Sequence, residues 1–164
     1  MGLVLGSTQA SVAAAPVDSV TVVSGPQMVL ACDQFSGSTL KYAQDHGYCP
    51  TVKVGTITPQ FVQSYNCGSS YIYIFNRGLR GYAYVDYGFS SSLGIVTSRR
   101  IDVAVAAIAA WTDASLMWST TYDSGRRFAG YTGTGWQSAS FSGTVWLVWG
   151  GWCTIPLGTD SAYL

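Results

Sequence analysis

The chain has 164 residues, enough for one domain or two small ones whose core needs no metal. Apolar residues make up 48 %, which excludes wholesale disorder, while charged residues are only 10 %, against a usual share of about 25 %. Net charge is zero, all eight acids are Asp, and the dense basic pairs are Arg99–Arg100 and Arg126–Arg127. A protein that tracks phosphates carries a basic stripe, so neither nucleic acid nor an anionic membrane surface is an expected partner.

Good helix formers are scarce: Glu is absent and Lys occurs only as Lys41 and Lys53, whereas Gly reaches 19. This composition predicts β-structure. Residues 1–14, a short apolar run leading into small residues, read as the remnant of a secretory signal peptide, with a mature start at Ala15-Pro16. The longest apolar window, Val103 to Trp111, is too short for a membrane span.

Residues 15–66 read as an N-terminal arm and hairpin region. Val17 to Ala31 alternates weakly around Gly25-Pro26, which suggests an extended arm followed by a strand. Residues 33–50 read as a looped hairpin, Thr51 to Thr58 as a strand, and Phe61 to Asn66 as a further strand candidate. Cys32, Cys49, Cys67 and Cys153 allow three connectivities, and in an exported chain disulfides are the default. Cys32–Cys49, closing a short N-terminal loop, with Cys67–Cys153, tying the start of a repeated region to its last strand, is the favoured pairing. With no C-x-x-C pair and a lone His46, no Cys/His metal site is expected.

From residue 67 the pattern sharpens. Tyr71-Ile72-Tyr73-Ile74-Phe75 and Tyr82-Ala83-Tyr84-Val85-Asp86-Tyr87 are strands on either side of an Asn76-Arg77-Gly78 turn signal, and Arg100 to Val105 alternates again. Ala104 to Ala110 is taken as strand end plus linker rather than a short helix. A shift of 44 residues superposes Ile74 on Trp118, Gly81 on Gly125, Tyr84 on Phe128 and Tyr87 on Tyr131. Such self-similarity is the mark of a repeated unit. Leu116-Met117-Trp118 and Arg127 to Tyr131 become the strands of the second copy, Thr144 to Trp149 the last strand, and residues 154–164 a tail.

The stretch Ile74-Phe75-Asn76-Arg77-Gly78-Leu79-Arg80-Gly81 resembles the opening of a βγ-crystallin-type Greek-key unit, and Tyr87 to Ile95 followed by Arg100 to Val105 is similar to its continuation. The likeness covers about residues 67–153 and is nearest to the bacterial secreted branch, with its metalloproteinase-inhibitor and killer-toxin-like members. It implies an all-β, disulfide-stapled sandwich of two similar Greek-key units behind an N-terminal strand or hairpin extension. Many members bind calcium at the position of Thr97 to Asp102. Arg99 and Arg100 would repel a dication there, so no metal is expected.

General acid–base work needs a group tuned near neutral pH, and the sequence offers only the Asp45–His46 pair, read as a solvated turn. No nucleophile elbow or phosphate loop occurs, so no catalytic residues, no cofactor and no enzyme activity are expected. Six Trp, eleven Tyr and six Phe exceed what a core of this size needs. Trp149 and Trp152, beside Gly150 and Gly151, with Arg126 and Arg127, have the composition of an interface. Val20, Val22 and Val23 lie in an arm suited to pairing with a partner's edge or cleft. The expected function is a secreted, extracellular, non-enzymatic protein-binding module, an adaptor or subunit of an antagonistic (toxin-like) complex. The alternatives are a peptidase inhibitor and a carbohydrate-binding domain using Trp149, Trp152 or Tyr131.

Overall fold

The computed structural model describes residues 25–51, 65–106 and 108–164. Their order is β1 (Gln27–Leu30), a 3-10 turn (Cys32–Gln34), α1 (Gly37–Asp45), β2 (Asn66–Phe75), β3 (Tyr82–Ser91), β4 (Val96–Val105), β5 (Ala109–Ser119), β6 (Thr121–Asp123), β7 (Arg127–Tyr131), β8 (Trp136–Leu147) and β9 (Trp152–Tyr163). The described residues are all-β apart from the 3-10 turn and α1. The strands form one antiparallel sheet in the order β5-β4-β8-β9-β1-β2-β3-β6, with β7 also on β3. The two ends of that order, β5 and β6, are joined in sequence through Thr120 alone, so the sheet curls round until it nearly closes.

Period-2 alternation decides which residues enter the core. Ile72 and Ile74 of β2, Ala83 and Val85 of β3, Ile101, Val103 and Val105 of β4 and Ala139, Phe141 and Val145 of β8 are buried together inside the curl. The β2–β3 ladder runs unbroken from Gly68↔Ser91 to Phe75↔Tyr84. Gly81, which ends its turn, sits at φ +76°, and a Cβ there would meet the Tyr131 ring at 2.6 Å, so both backbone and space demand glycine.

Both disulfides of the favoured pairing are formed, Cys32–Cys49 and Cys67–Cys153. Cys67 on β2 and Cys153 on β9 are fully buried and lie on the two strands that flank β1, so the bond staples the sheet across this four-residue strand.

Three expectations change. Residues 33–50 hold α1 rather than a hairpin. Ser36 takes the extended conformation of an N-cap, and Ala43 is buried while Leu40 packs on the core. A nine-residue helix is marginal alone, and tertiary packing together with the Cys32–Cys49 bond overrides the loop-like composition. Residues 154–164 are not a tail but most of β9, laddered to β8 from Trp146↔Trp152 to Trp136↔Tyr163. Pro156 and Leu157 obscure the strand in sequence because they sit at a bulge opposite Ser142. Thr144 to Trp149 is accordingly the end of the long β8 and the turn after it, not the final strand. The expected strands at 51–58 and 61–66 fall mostly outside the described residues.

The Cys67→Ala/Cys153→Ala variant opens a separation of 86 residues and is expected to lose about 4–5 kcal/mol. Guanidinium unfolding of the variant against the wild type checks this.

Candidate functional site

Where β5 meets β3, β6 and β7, side chains close what the backbone leaves open. Asp113 of β5 is buried and accepts hydrogen bonds from the Tyr87 hydroxyl at 3.0 Å, from the Tyr122 hydroxyl, and from Nη2 of Arg99 at 2.9 Å and of Arg127 at 3.4 Å. Trp111 Nε1 donates to the Tyr87 oxygen at 3.1 Å, and the Arg99 guanidinium lies 3.6 Å from the centre of the Tyr122 ring. Burial pushes the Asp113 carboxyl up, but the Tyr122 and Tyr87 donors and the charges of Arg99 and Arg127 outweigh it and hold it below its ordinary value. Burial first, and Asp113 with it, pushes Tyr122 up, and Tyr87 rises chiefly through burial. Every strand at the junction contributes a partner, and the carboxylate has four donors. The carboxylate is satisfied, although Arg99 Nε is buried without a hydrogen-bond partner, and the arrangement is that of a structural knot.

The exposed chemistry lies on the outer face of β2, β3 and β7. The alternation that sends Ile72, Ile74, Ala83 and Val85 inward sends Tyr71, Tyr73, Phe75, Tyr82 and Tyr84 outward. Phe128 and Tyr131 of β7 join them through the pairs Tyr84↔Phe128 and Tyr82↔Tyr131. The rings run on without a break: Phe75–Tyr84 at 6.1 Å, Tyr84–Phe128 at 5.2 Å, Tyr82–Phe128 at 6.1 Å and Tyr82–Tyr131 at 5.2 Å between centroids. Arg77 holds its guanidinium 5.7 Å from the Tyr84 ring.

Stability alone does not account for this face. A cross-strand aromatic pair contributes about 0.2–1 kcal/mol. Burying one such ring would contribute roughly 1.5–3 kcal/mol, yet Phe128 is 58 % and Tyr131 60 % exposed. At the far end of the face Tyr71 is pushed up by burial, then by Asp86 and Asp123. Asp86 is pushed up by burial and by sharing a hydrogen bond with Asp123.

The sequence-derived site residues fall in three places. Val20, Val22 and Val23 lie outside the described residues. Trp149 and Trp152 are half-buried under the helical cap rather than displayed: Phe35 meets Trp149 at 5.9 Å and Trp152 at 4.7 Å, Tyr42 lies over Trp149 at 5.2 Å, and Trp149 Nε1 donates to the Leu93 carbonyl. Their neighbouring glycines let the rings fold against the body instead of exposing them. Arg126 is exposed near the aromatic face, and Arg127 turns to Asp113. Asp45 pairs with Lys41, and His46 Nδ1 lies 2.9 Å from the Tyr42 carbonyl oxygen, so the two do not form a dyad. Of the aromatic face, sequence reasoning singled out only Tyr131, although the alternation of Tyr and aliphatic residues in β2 and β3 carried the signal for the rest.

No protein-family model matches the chain, and no significant match was found among curated proteins or solved structures.

Replacing Asp113 by Asn leaves the Arg99 charge buried without its counter-ion and is expected to cost about 3–5 kcal/mol. A carboxyl held low in the folded state contributes stability above its unfolded value, lost as pH falls through the folded one. Wild-type stability should therefore drop below pH 3.8, the ordinary value, and the variant should lack that part of the decline. Urea unfolding of both proteins between pH 7 and pH 2 measures this.

Proposed function

We propose that the chain is a secreted, non-enzymatic module that binds another protein through the outer face of β2, β3 and β7, as an adaptor or subunit of an extracellular antagonistic complex. The exposed run of Phe75, Tyr84, Phe128, Tyr82 and Tyr131 carries the proposal. Tyr, Phe and Arg are the side chains that dominate interface energetics, because large rigid rings bury much area for little conformational entropy. Two of the four ring pairs, Tyr84–Phe128 at 50° and Tyr82–Tyr131 at 64°, are inclined and the other two lie at 22°, a broken relief with room for side-chain knobs between the rings. The signal-like N-terminus and two disulfides support an extracellular setting. The βγ-crystallin-like reading of residues 67–153 belongs to this proposal. Supporting it, Gly81 and Gly125, the equivalent glycines of the two copies, both have positive φ, +76° and +60°. A secreted peptidase is one partner such a face would suit.

Capture from the source's culture supernatant, with mass-spectrometric identification, tests the face. Phe128→Ser/Tyr131→Ser, both at exposed positions, should keep the wild-type circular dichroism spectrum and weaken capture at least about tenfold, the scale of an interface hot spot. Capture of the same proteins at the same strength would show that the face is not the interface.

A further inference from the structure

A second surface lies on β5, β4 and β8, strands that share no ladder with β2, β3 or β7. Register places their outward side chains in rows: Ala110–Ala104–Ser140, Thr112–Asp102–Ser142 and Ala114–Arg100–Thr144. Most are small, and the first two rows leave a furrow of about 380 Å³ against which Leu157 of β9 stands as a wall. The next row changes character, with Leu116–Ser98–Trp146, and Trp118 follows on β5. Leu116 is 83 %, Trp118 74 % and Trp146 37 % exposed. At about 3.3 Å per residue the surface runs roughly 20 Å from the alanine row to Trp146 and about 26 Å to Trp118.

The chemistry of this surface narrows what it can hold. β4 is paired with both β5 and β8, and β8 with both β4 and β9, so across the furrow the backbone groups are consumed and a peptide could add as a strand only at the outer edge of β5. The floor offers no deep apolar pocket for the anchors of an amphipathic helix; it offers Ser and Thr hydroxyls and one carboxylate. Asp102 accepts the Thr112 hydroxyl through Oδ1 and faces Arg100 Nε at 3.8 Å through Oδ2, with both charged side chains more than half exposed. One cation and one anion cancel, which favours a neutral ligand. A shallow furrow lined by hydroxyls, one carboxylate and small apolar side chains, with Arg100 beside it and exposed indoles farther along the same face, fits a ligand with many hydroxyls and apolar ring faces.

We propose that this furrow binds a neutral oligosaccharide, with sugar rings against Trp118 and Trp146 and hydroxyls on Asp102, Arg100 and the Ser and Thr side chains of the floor. The site is separate from the aromatic face, and the two bindings are independent.

Isothermal titration and tryptophan fluorescence with three soluble hexasaccharides test it: β-1,4-linked glucose, β-1,4-linked N-acetylglucosamine and α-1,4-linked glucose. At least one should bind the wild type and shift its tryptophan emission. Ala110→Arg, which fills the furrow from an exposed position, and Trp118→Ala should each weaken that binding tenfold or more, and Phe128→Ser should leave it unchanged. The proposal is overturned if none of the three binds the folded wild type, if Ala110→Arg and Trp118→Ala bind as tightly as wild type, or if Phe128→Ser removes the binding.

Discussion

A buried carboxylate ringed by four donors holds the one place where this sheet fails to close through its own backbone. β5 ends the strand order on one side and β6 and β7 on the other, and the bonds to Asp113 come from β3, β4, β6 and β7. A charge inside a protein is costly unless its partners surround it, and here the hydroxyls of Tyr87 and Tyr122 and the guanidinium of Arg99 do so. The same geometry explains why β5 can lie as it does: Trp111, Asp113 and Met117 face inward, leaving Ala110, Thr112, Ala114, Leu116 and Trp118 to face solvent. Both outer surfaces depend on that closure, because an uncurled sheet would not hold their rows of side chains at fixed spacing.

The disulfides act at other weak points. Cys67–Cys153 crosses β1, whose four residues provide few ladder bonds, and links its two neighbours directly. Cys32–Cys49 pins the short helix over Trp149 and Trp152, so these rings become the underside of a cap. The helix, the bond and the aromatic cluster are mutually dependent: none of the three buries enough area alone to remain ordered.

The two exposed surfaces follow different rules. On β2, β3 and β7 large rings contact one another across strands and give a raised aromatic relief, edged by Arg77 and Arg126 and by Asp86 and Asp123. On β4, β5 and β8 small side chains leave a furrow of mixed polar and apolar lining, with exposed indoles farther along the same face.

The sequence by itself determined the all-β class and the strands from Tyr71 to Val105, where the signal is local: composition, period-2 alternation and turn residues act within a few positions. Among three disulfide pairings it favoured the one that the structure contains, but only the tertiary structure brings Cys67 to Cys153. The sequence also held the aromatic face of β2 and β3, since alternate residues must point to opposite sides, but it could not say which set faced outward. That choice belonged to the tertiary structure, because burying Ile72, Ile74, Ala83 and Val85 fills a narrow curled interior that rows of Tyr would overfill. Only the tertiary structure could bring Asp113 to Tyr87 and Arg127, which are far apart in sequence. Only it could make a helix of Gly37–Asp45, fold Trp149 and Trp152 inward, and turn residues 154–164 into a strand. Pairing and packing partners, not local preference, supply the stability of those elements.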